Sequence, residues 1–312
     1  MPTPTMKPRQ LISIGPIGLC NLRCPTCPTG RGESSKAPEL TVDLLRRVLT
    51  KATRECRVIR VDPFNWGDSL VLPRLAELID LIQVEFKLRC GLSTNLNHSP
   101  GVDTILKHPP YKMIVSLSGF TQSTYSQTHT GGDIEVVKHN LTRLSSAMRW
   151  DYWPTKVTVA WHRYRSNLGE EAAMANFVRT LGFKFAPTTA LMLPLDSIVS
   201  EQTPSAPVMG NLLVSPVEGI AASRWWPRLS CFVRTHMLSM DSEANVNLCC
   251  STFGDGLGVG NYLDTPLWLI QQRKDAHEFC AKCQNTGVLS YFQGAGPMRW
   301  INRKARLNPE TP

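Results

Sequence analysis

Short apolar, β-branched runs alternate with longer stretches of helical spacing across the first two thirds of the chain. The runs predict strands over 11–17, 58–62, 87–94, 112–118, 155–162 and 183–192. Between the first two, Thr41 can cap a helix that carries Leu44, Leu45, Val48, Leu49 and Ala52 on one face, with Asp43 favourably placed in its first turn. Pro73 can open the next helix, with Leu75, Leu78, Ile79 and Ile82 turned inward. Further helices fit 100–108, 133–148 and 169–181. Strands and helices in strict alternation predict an α/β fold built on parallel strands. From 194 to 227 the periodicity fades among Pro, Ser and Gly, which reads as a connector. A small segment, 231–283, follows with a strand pair inside 237–249 and a helix near 266–278. A basic tail over 299–306 closes the chain.

The chain has 312 residues, 42% hydrophobic against 19% charged, which excludes disorder as its main character. Residues 1–10 lack the apolar core of a signal peptide, and no window approaches ~20 uninterrupted apolar residues. Those features predict a cytoplasmic, reducing setting without a membrane span. There, the distribution of the ten cysteines matters. Three lie within 20–27, five within 231–283, and only Cys56 and Cys90 stand alone as expected core thiols. Clustered cysteines in a reducing compartment read as metal ligands or redox groups rather than as a disulfide framework. The net charge of +9 raises a nucleic-acid-binding class. Its Lys and Arg residues are spread along the chain rather than gathered in a stripe, which disfavours that class and suits docking of an acidic electron donor.

Cys20, Cys24 and Cys27 form a C-x3-C-x2-C run just after the first predicted strand. Three thiolates on one loop can hold three irons of a [4Fe-4S] cluster and leave the fourth open to a small molecule. A three-cysteine zinc site with a remote fourth ligand is the competing reading. With this spacing in this place, the chain resembles the radical S-adenosylmethionine (SAM) superfamily. The resemblance implies a partial (β/α)6 TIM-like barrel, and a cluster whose open iron binds SAM and produces a 5′-deoxyadenosyl radical. Trp66-Gly67-Asp68-Ser69-Leu70 is similar to the family's G-G-E-P motif, which implies a SAM contact at Gly67 and Asp68. Ser93 and Asn95 after the third strand, and Ser116 and Ser118 at the end of the fourth, stand where hydroxyls and amides of that family reach SAM. Thr26 occupies a position where many relatives carry an aromatic residue near the adenine. His162, Arg163 and Arg165 are candidates for SAM or substrate contact, with solvated surface as the alternative.

The second set reads Cys231, Cys249, Cys250, and then Cys280-x2-Cys283. Four thiolates close either a second [4Fe-4S] cluster or a zinc ribbon. Residues 246–250, 259–262 and 280–283 look like the twitch form of the SPASM module, which implies an auxiliary cluster on Cys231, Cys249, Cys280 and Cys283. Ala244 stands where relatives often carry Gly. On an extended segment Cys249 and Cys250 would point to opposite faces. One of the pair, Cys250 in the favoured assignment, is then free to donate a hydrogen atom. The implied layout is a barrel over 1–195, a connector over 196–227, a twitch module over 228–290 and the tail over 291–312.

Twitch relatives include dehydrogenases and epimerases of cyclitols and aminosugars. The segment 117–133 resembles such sugar-modifying proteins. A spare thiol favours the epimerase, with a neomycin-type aminoglycoside as substrate and a flavodoxin or ferredoxin as reductant. A dehydrogenase of a cyclitol or aminosugar alcohol, and an RNA- or peptide-modifying radical SAM enzyme, are the alternatives. Asp196, Glu201, Asp255, Trp225 and Trp226 are candidate contacts for an amino sugar, as carboxylates and aromatic walls.

Overall fold

The computed structural model describes residues 7–15, 19–33, 38–150, 153–191, 194–200, 206–223, 230–253 and 256–292. The predicted alternation is present as β1 (Arg9–Ile14), α1 (Val42–Glu55), β2 (Arg57–Asp62), α2 (Leu75–Asp80), β3 (Gly91–Thr94) and α3 (Ser99–Lys107). It continues through β4 (Lys112–Leu117), α4 (Gln122–Tyr125), α5 (Ile134–Trp150), β5 (Lys156–Arg163), α6 (Glu171–Thr180) and β6 (Lys184–Thr189). Thr41 caps α1 as expected: its Oγ1 accepts from the Leu44 amide at 3.1 Å, and Leu45, Val48, Leu49 and Ala52 are buried. β3 is shorter than its apolar run because Lys87 adopts φ 55°, a left-handed turn that a strand does not accommodate.

The ladders among β1–β6 are parallel but fall in two sheets. One contains β1 and β2, the other runs β3-β4-β5-β6, and a single parallel bridge, Val61 to Cys90, joins them. Alternation decides which side chains meet the helices. On β4 and β5 the fully buried Met113, Val115, Leu117, Val159, Trp161 and Arg163 lie on the helix-covered face. Ile114, Ser116, Thr158, Ala160 and His162 alternate with them and remain half-buried on the concave side. Parallel pairing puts the C-terminal ends of β1 to β6 on one rim, where such barrels assemble their sites.

The described residues of the region expected to be a connector form short helices, α7 (Leu195–Val199), α8 (Ala206–Asn211) and α9 (Pro216–Ser223). Each is too brief for a period of 3.6 to stand out in the sequence. Next come α10 (Phe232–His236), β7 (Met237–Met240), β8 (Asn245–Asn247), β9 (Gly258–Asn261), α11 (Leu267–Ala276), α12 (Glu278–Asn285) and α13 (Val288–Phe292). β7 pairs in parallel with β1, on the side away from β2, and β8 and β9 add antiparallel strands. The cysteine-rich segment therefore continues the barrel's own sheet. β9 and α12 were not expected from the sequence. The basic tail lies outside the described residues.

Candidate active site and cysteine centres

The loop after β1 is shaped by close backbone contacts. The Cys27 amide donates to the Cys24 carbonyl at 3.1 Å, and the Arg23 amide to the Thr130 carbonyl at 2.9 Å. Gly30 packs against this turn so tightly that a Cβ would lie 2.3 Å from the Cys24 oxygen. Cys20, Cys24 and Cys27 lie near enough that Cys20 and Cys27 both raise the pKa of Cys24. Burial is the larger cause, pushing Cys20 up to about 11 and Cys24 up to about 12, so iron binding there must displace protons. The three thiols, half-buried on one loop at the rim, fit a cluster with one open iron. Gly30→Ala is expected to open the turn and lower the iron that this loop holds by about four per chain. Metal analysis checks this; full iron loading would show that the close approach does not shape the loop.

Gly67 and Asp68 lie beside that loop. Gly67 bridges Leu19 with φ 131°, and a Cβ there would meet the Leu19 oxygen at 2.2 Å. The Asp68 carboxylate is buried and already engaged. It accepts from the Leu70 amide at 2.8 Å, the Asn95 amide at 2.6 Å and Thr94 Oγ1 at 2.9 and 3.0 Å. Burial pushes its pKa up while these bonds pull against the shift. Asp68 thus ties the loop after β2 to the end of β3. Asp68→Asn turns an acceptor into a donor facing other donors, and is expected to cost roughly 2 kcal/mol in chemical denaturation. An unchanged midpoint would show that this tie carries no stability.

The other sequence candidates divide. Asn95 Nδ2 donates to Asn21 Oδ1 at 2.9 Å and points to Cys20 Sγ at 3.8 Å, so Asn95 belongs to the cysteine loop. Ser93 is half-buried, with its amide bonded to Ser69 Oγ. Ser116 lies on the concave face, level with Ala160, which is in turn level with Ala186. These small side chains leave room above the sheet. Ser118 is fully buried and engaged with Thr128 and His129. His162 shares the concave face, and burial pulls its pKa down to about 4, leaving it neutral near pH 7. Arg163 faces the helices and pairs with Glu171, while Arg165 donates to the Leu212 carbonyl at 3.0 Å. Tyr164 was missed by the sequence reading: its hydroxyl meets Thr26 Oγ1 at 3.2 Å, bringing an aromatic ring from the end of β5 to the cysteine loop.

The second set gathers around one small apolar-walled cavity. Cys231, Cys249, Cys280 and Cys283 line it together with Leu195, Val233, Leu248, Phe279, Leu289 and Phe292; Cys250 is not in its lining. α12 carries Cys280 and Cys283 one turn apart. Amides of Arg234 and Ser251 donate to Cys231 and Cys249 sulfur, each at 3.4 Å. Four thiols around one apolar-walled space suit a cluster. Among the described residues, no three His, Cys, Asp or Glu side chains converge on a single metal ion.

Cys249 and Cys250 do not lie on an extended segment, which corrects that premise. The chain turns at Cys250, with Thr252 Oγ1 donating to the Cys249 carbonyl at 2.9 Å. The two neighbouring thiols act on each other in opposite senses, raising the pKa of Cys249 and lowering that of Cys250. The same loop is fastened to the rim. Trp66 Nε1 donates to the Thr252 carbonyl at 3.1 Å, and its ring packs edge-on against Phe253. Trp66 directly precedes Gly67, so Cys250 lies two residues from a segment anchored beside the G-D motif. Asp196 accepts from the Phe253 amide at 3.0 Å, holding this loop from α7. Glu201, Trp225, Trp226 and Asp255 lie outside the described residues.

No protein-family model and no curated protein matches the chain. Solved structures do. Streptococcus suis SuiB bound to S-adenosylmethionine superposes with a TM-score of 0.61 at 11% identity, over 95% of this chain and 74% of that one. SuiB bound to precursor peptide SuiA gives 0.62 at 12% identity, over 95% and 73%. Native anSMEcpe with bound AdoMet and Cp18Cys peptide gives 0.58 at 13% identity, over 97% and 98%. The fold is that of the radical SAM TIM-like barrel proteins. No helix among the described residues is long and apolar enough to cross a membrane.

Proposed function

We propose that the protein is a cytoplasmic radical SAM epimerase that inverts a C–H centre of an aminoglycoside sugar, of the kind in neomycin-type antibiotic biosynthesis. The observation that carries this reading is the arrangement of the second cysteine set. Four thiols line one cavity and the fifth, Cys250, lies outside it on a loop pinned to Trp66. Cys20, Cys24 and Cys27 would hold the first [4Fe-4S] cluster, and Cys231, Cys249, Cys280 and Cys283 the second. With SAM bound and one electron delivered by a flavodoxin- or ferredoxin-type donor, the first cluster would supply the 5′-deoxyadenosyl radical that removes a substrate hydrogen, with methionine released.

The protein's own groups do the rest. Gly67 and Asn95 shape the SAM side of the rim, and Asp68 holds that side in place. Ser116, Ala160 and Ala186 leave space on the concave face for the sugar. Cys250 returns a hydrogen atom to the opposite side of the carbon radical: its S–H bond breaks as the new C–H bond forms. The resulting sulfur radical regains its thiol with one proton and one electron from a flavodoxin- or ferredoxin-type donor.

With a candidate aminoglycoside, SAM and reductant in D2O, the expected products are 5′-deoxyadenosine and a deuterium-labelled isomer of the substrate. Loss of two mass units would instead identify a dehydrogenase, a reading favoured by the neutral His162 on the concave face as a base. A peptide substrate draws support from the peptides bound to SuiB and anSMEcpe; turnover of a peptide and of no aminoglycoside would establish it.

A further inference from the structure

At the starts of β1 and β2 the fold gathers cations that the sequence scatters. Lys7, Arg9, Arg54 and Arg57 are all exposed there. Arg9 and Arg57 stand directly opposite each other across the ladder. The Arg57 amide donates to the Pro8 carbonyl at 2.9 Å, and Lys7 Nζ to the Thr53 carbonyl at 3.0 Å, next to Arg54. Among the described residues none of the four forms an ion pair. Glu55, the carboxylate between Arg54 and Arg57 in sequence, is turned instead to Lys51 at 3.6 Å and to the Tyr262 hydroxyl at 3.1 Å. Like charges on adjacent strands repel, and an acidic surface laid against them offsets that repulsion. The same face continues onto α10. His236 Nδ1 donates to the Arg9 carbonyl at 3.3 Å, and Gln10 Nε2 to the Thr235 carbonyl at 3.0 Å. The Phe232 ring lies 5.2 Å from the His236 ring and is 51% exposed. Phe232 directly follows Cys231, which lines the thiol cavity.

We propose that this face, Phe232 with Lys7, Arg9, Arg54 and Arg57, docks an acidic one-electron donor protein, and that Cys231 is where its electron enters the second cluster. The inference deepens the proposed function and rests on it. Charge complementarity selects the partner: a protein with an acidic surface around its redox group is drawn to unneutralised cations, while an exposed ring supplies the desolvated contact that holds it. The donor loses one electron and the second cluster gains it. That electron, with one proton from solvent, then restores the Cys250 thiol from its sulfur radical. Cys250 adjoins Cys249, another member of the same set, so entry and exit lie at one centre.

The test uses the reconstituted full chain and a purified acidic flavodoxin. Arg9→Glu reverses one charge and faces Arg57 with a carboxylate, a favourable cross-strand pair, so the fold is kept. Phe232→Ala removes an exposed ring and leaves Cys231 in place. Calorimetric binding of the flavodoxin at low salt is expected to weaken about tenfold in R9E and roughly fivefold in F232A. Flavodoxin-driven reduction of the second cluster, followed by its EPR signal, should slow in step. High salt should erase the R9E difference by weakening the parent. Dithionite, a small reductant that needs no docking face, should reduce the second cluster equally in all three proteins. Lys184→Glu, the same charge change at the exposed start of β6, should bind as the parent does. Equal binding by R9E, F232A and the parent overturns the docking face, as does an equal loss in K184E. Weakened binding with an unchanged rate of flavodoxin-driven reduction overturns the electron route. Zinc in the second site of the parent, or no second EPR signal with dithionite, instead defeats the proposed function beneath the inference.

Discussion

Replacing Cys250 by alanine is expected to leave both clusters and SAM cleavage in place and to lower epimerised product at least about 10³-fold. That loss corresponds to roughly 4 kcal/mol of barrier. Cys250 is outside the lining of the thiol cavity, so under the proposed assignment its removal is expected to take no ligand from a second cluster. It also leaves the loop's ties intact, because Trp66 Nε1 and the Phe253 amide bond to the Thr252 carbonyl and Asp196 rather than to the thiol. Cys249→Ala should behave in the opposite way, reducing bound iron from about eight to about four per chain. Quantification of 5′-deoxyadenosine, iron and product in the two variants separates ligand from donor. Normal inversion by C250A would remove the hydrogen-donor role.

The second large effect belongs to the first loop. Changing Cys20, Cys24 and Cys27 together to alanine is expected to abolish 5′-deoxyadenosine formation while the second set keeps about four irons. The two sites lie on different elements, one on the loop after β1 and the other on α10, the turn after β8 and α12. Loss of all iron from the triple variant would mean that the second set does not bind a cluster independently.

Much of the barrel was legible because strand and helix periods differ and each element is amphipathic on its own. The Thr41 cap, the inward face of α1 and the starts of β4 and β5 follow from local chemistry. Pairing of β7 with β1 does not, because it joins residues more than two hundred positions apart and Met237–Met240 carries no mark of its partner. Lys87 hid a left-handed turn inside an apolar run. Ala244 was noticed as a departure from Gly, and its φ of 66° shows the turn that a glycine would accommodate more readily.

At the site, the cysteine spacing was legible because ligand chemistry fixes residue type. The engagement of Asp68 with Thr94 and Asn95 was not, since a carboxylate that receives a ligand and one that ties two loops read alike in sequence.

The most direct measurement is the metal content and spectroscopy of the full chain after anaerobic reconstitution with iron and sulfide. The account predicts about eight irons per chain and two distinct [4Fe-4S] signals, one of which changes when SAM is added. About four irons with a single cubane signal, or zinc retained at Cys231, Cys249, Cys280 and Cys283, would contradict it.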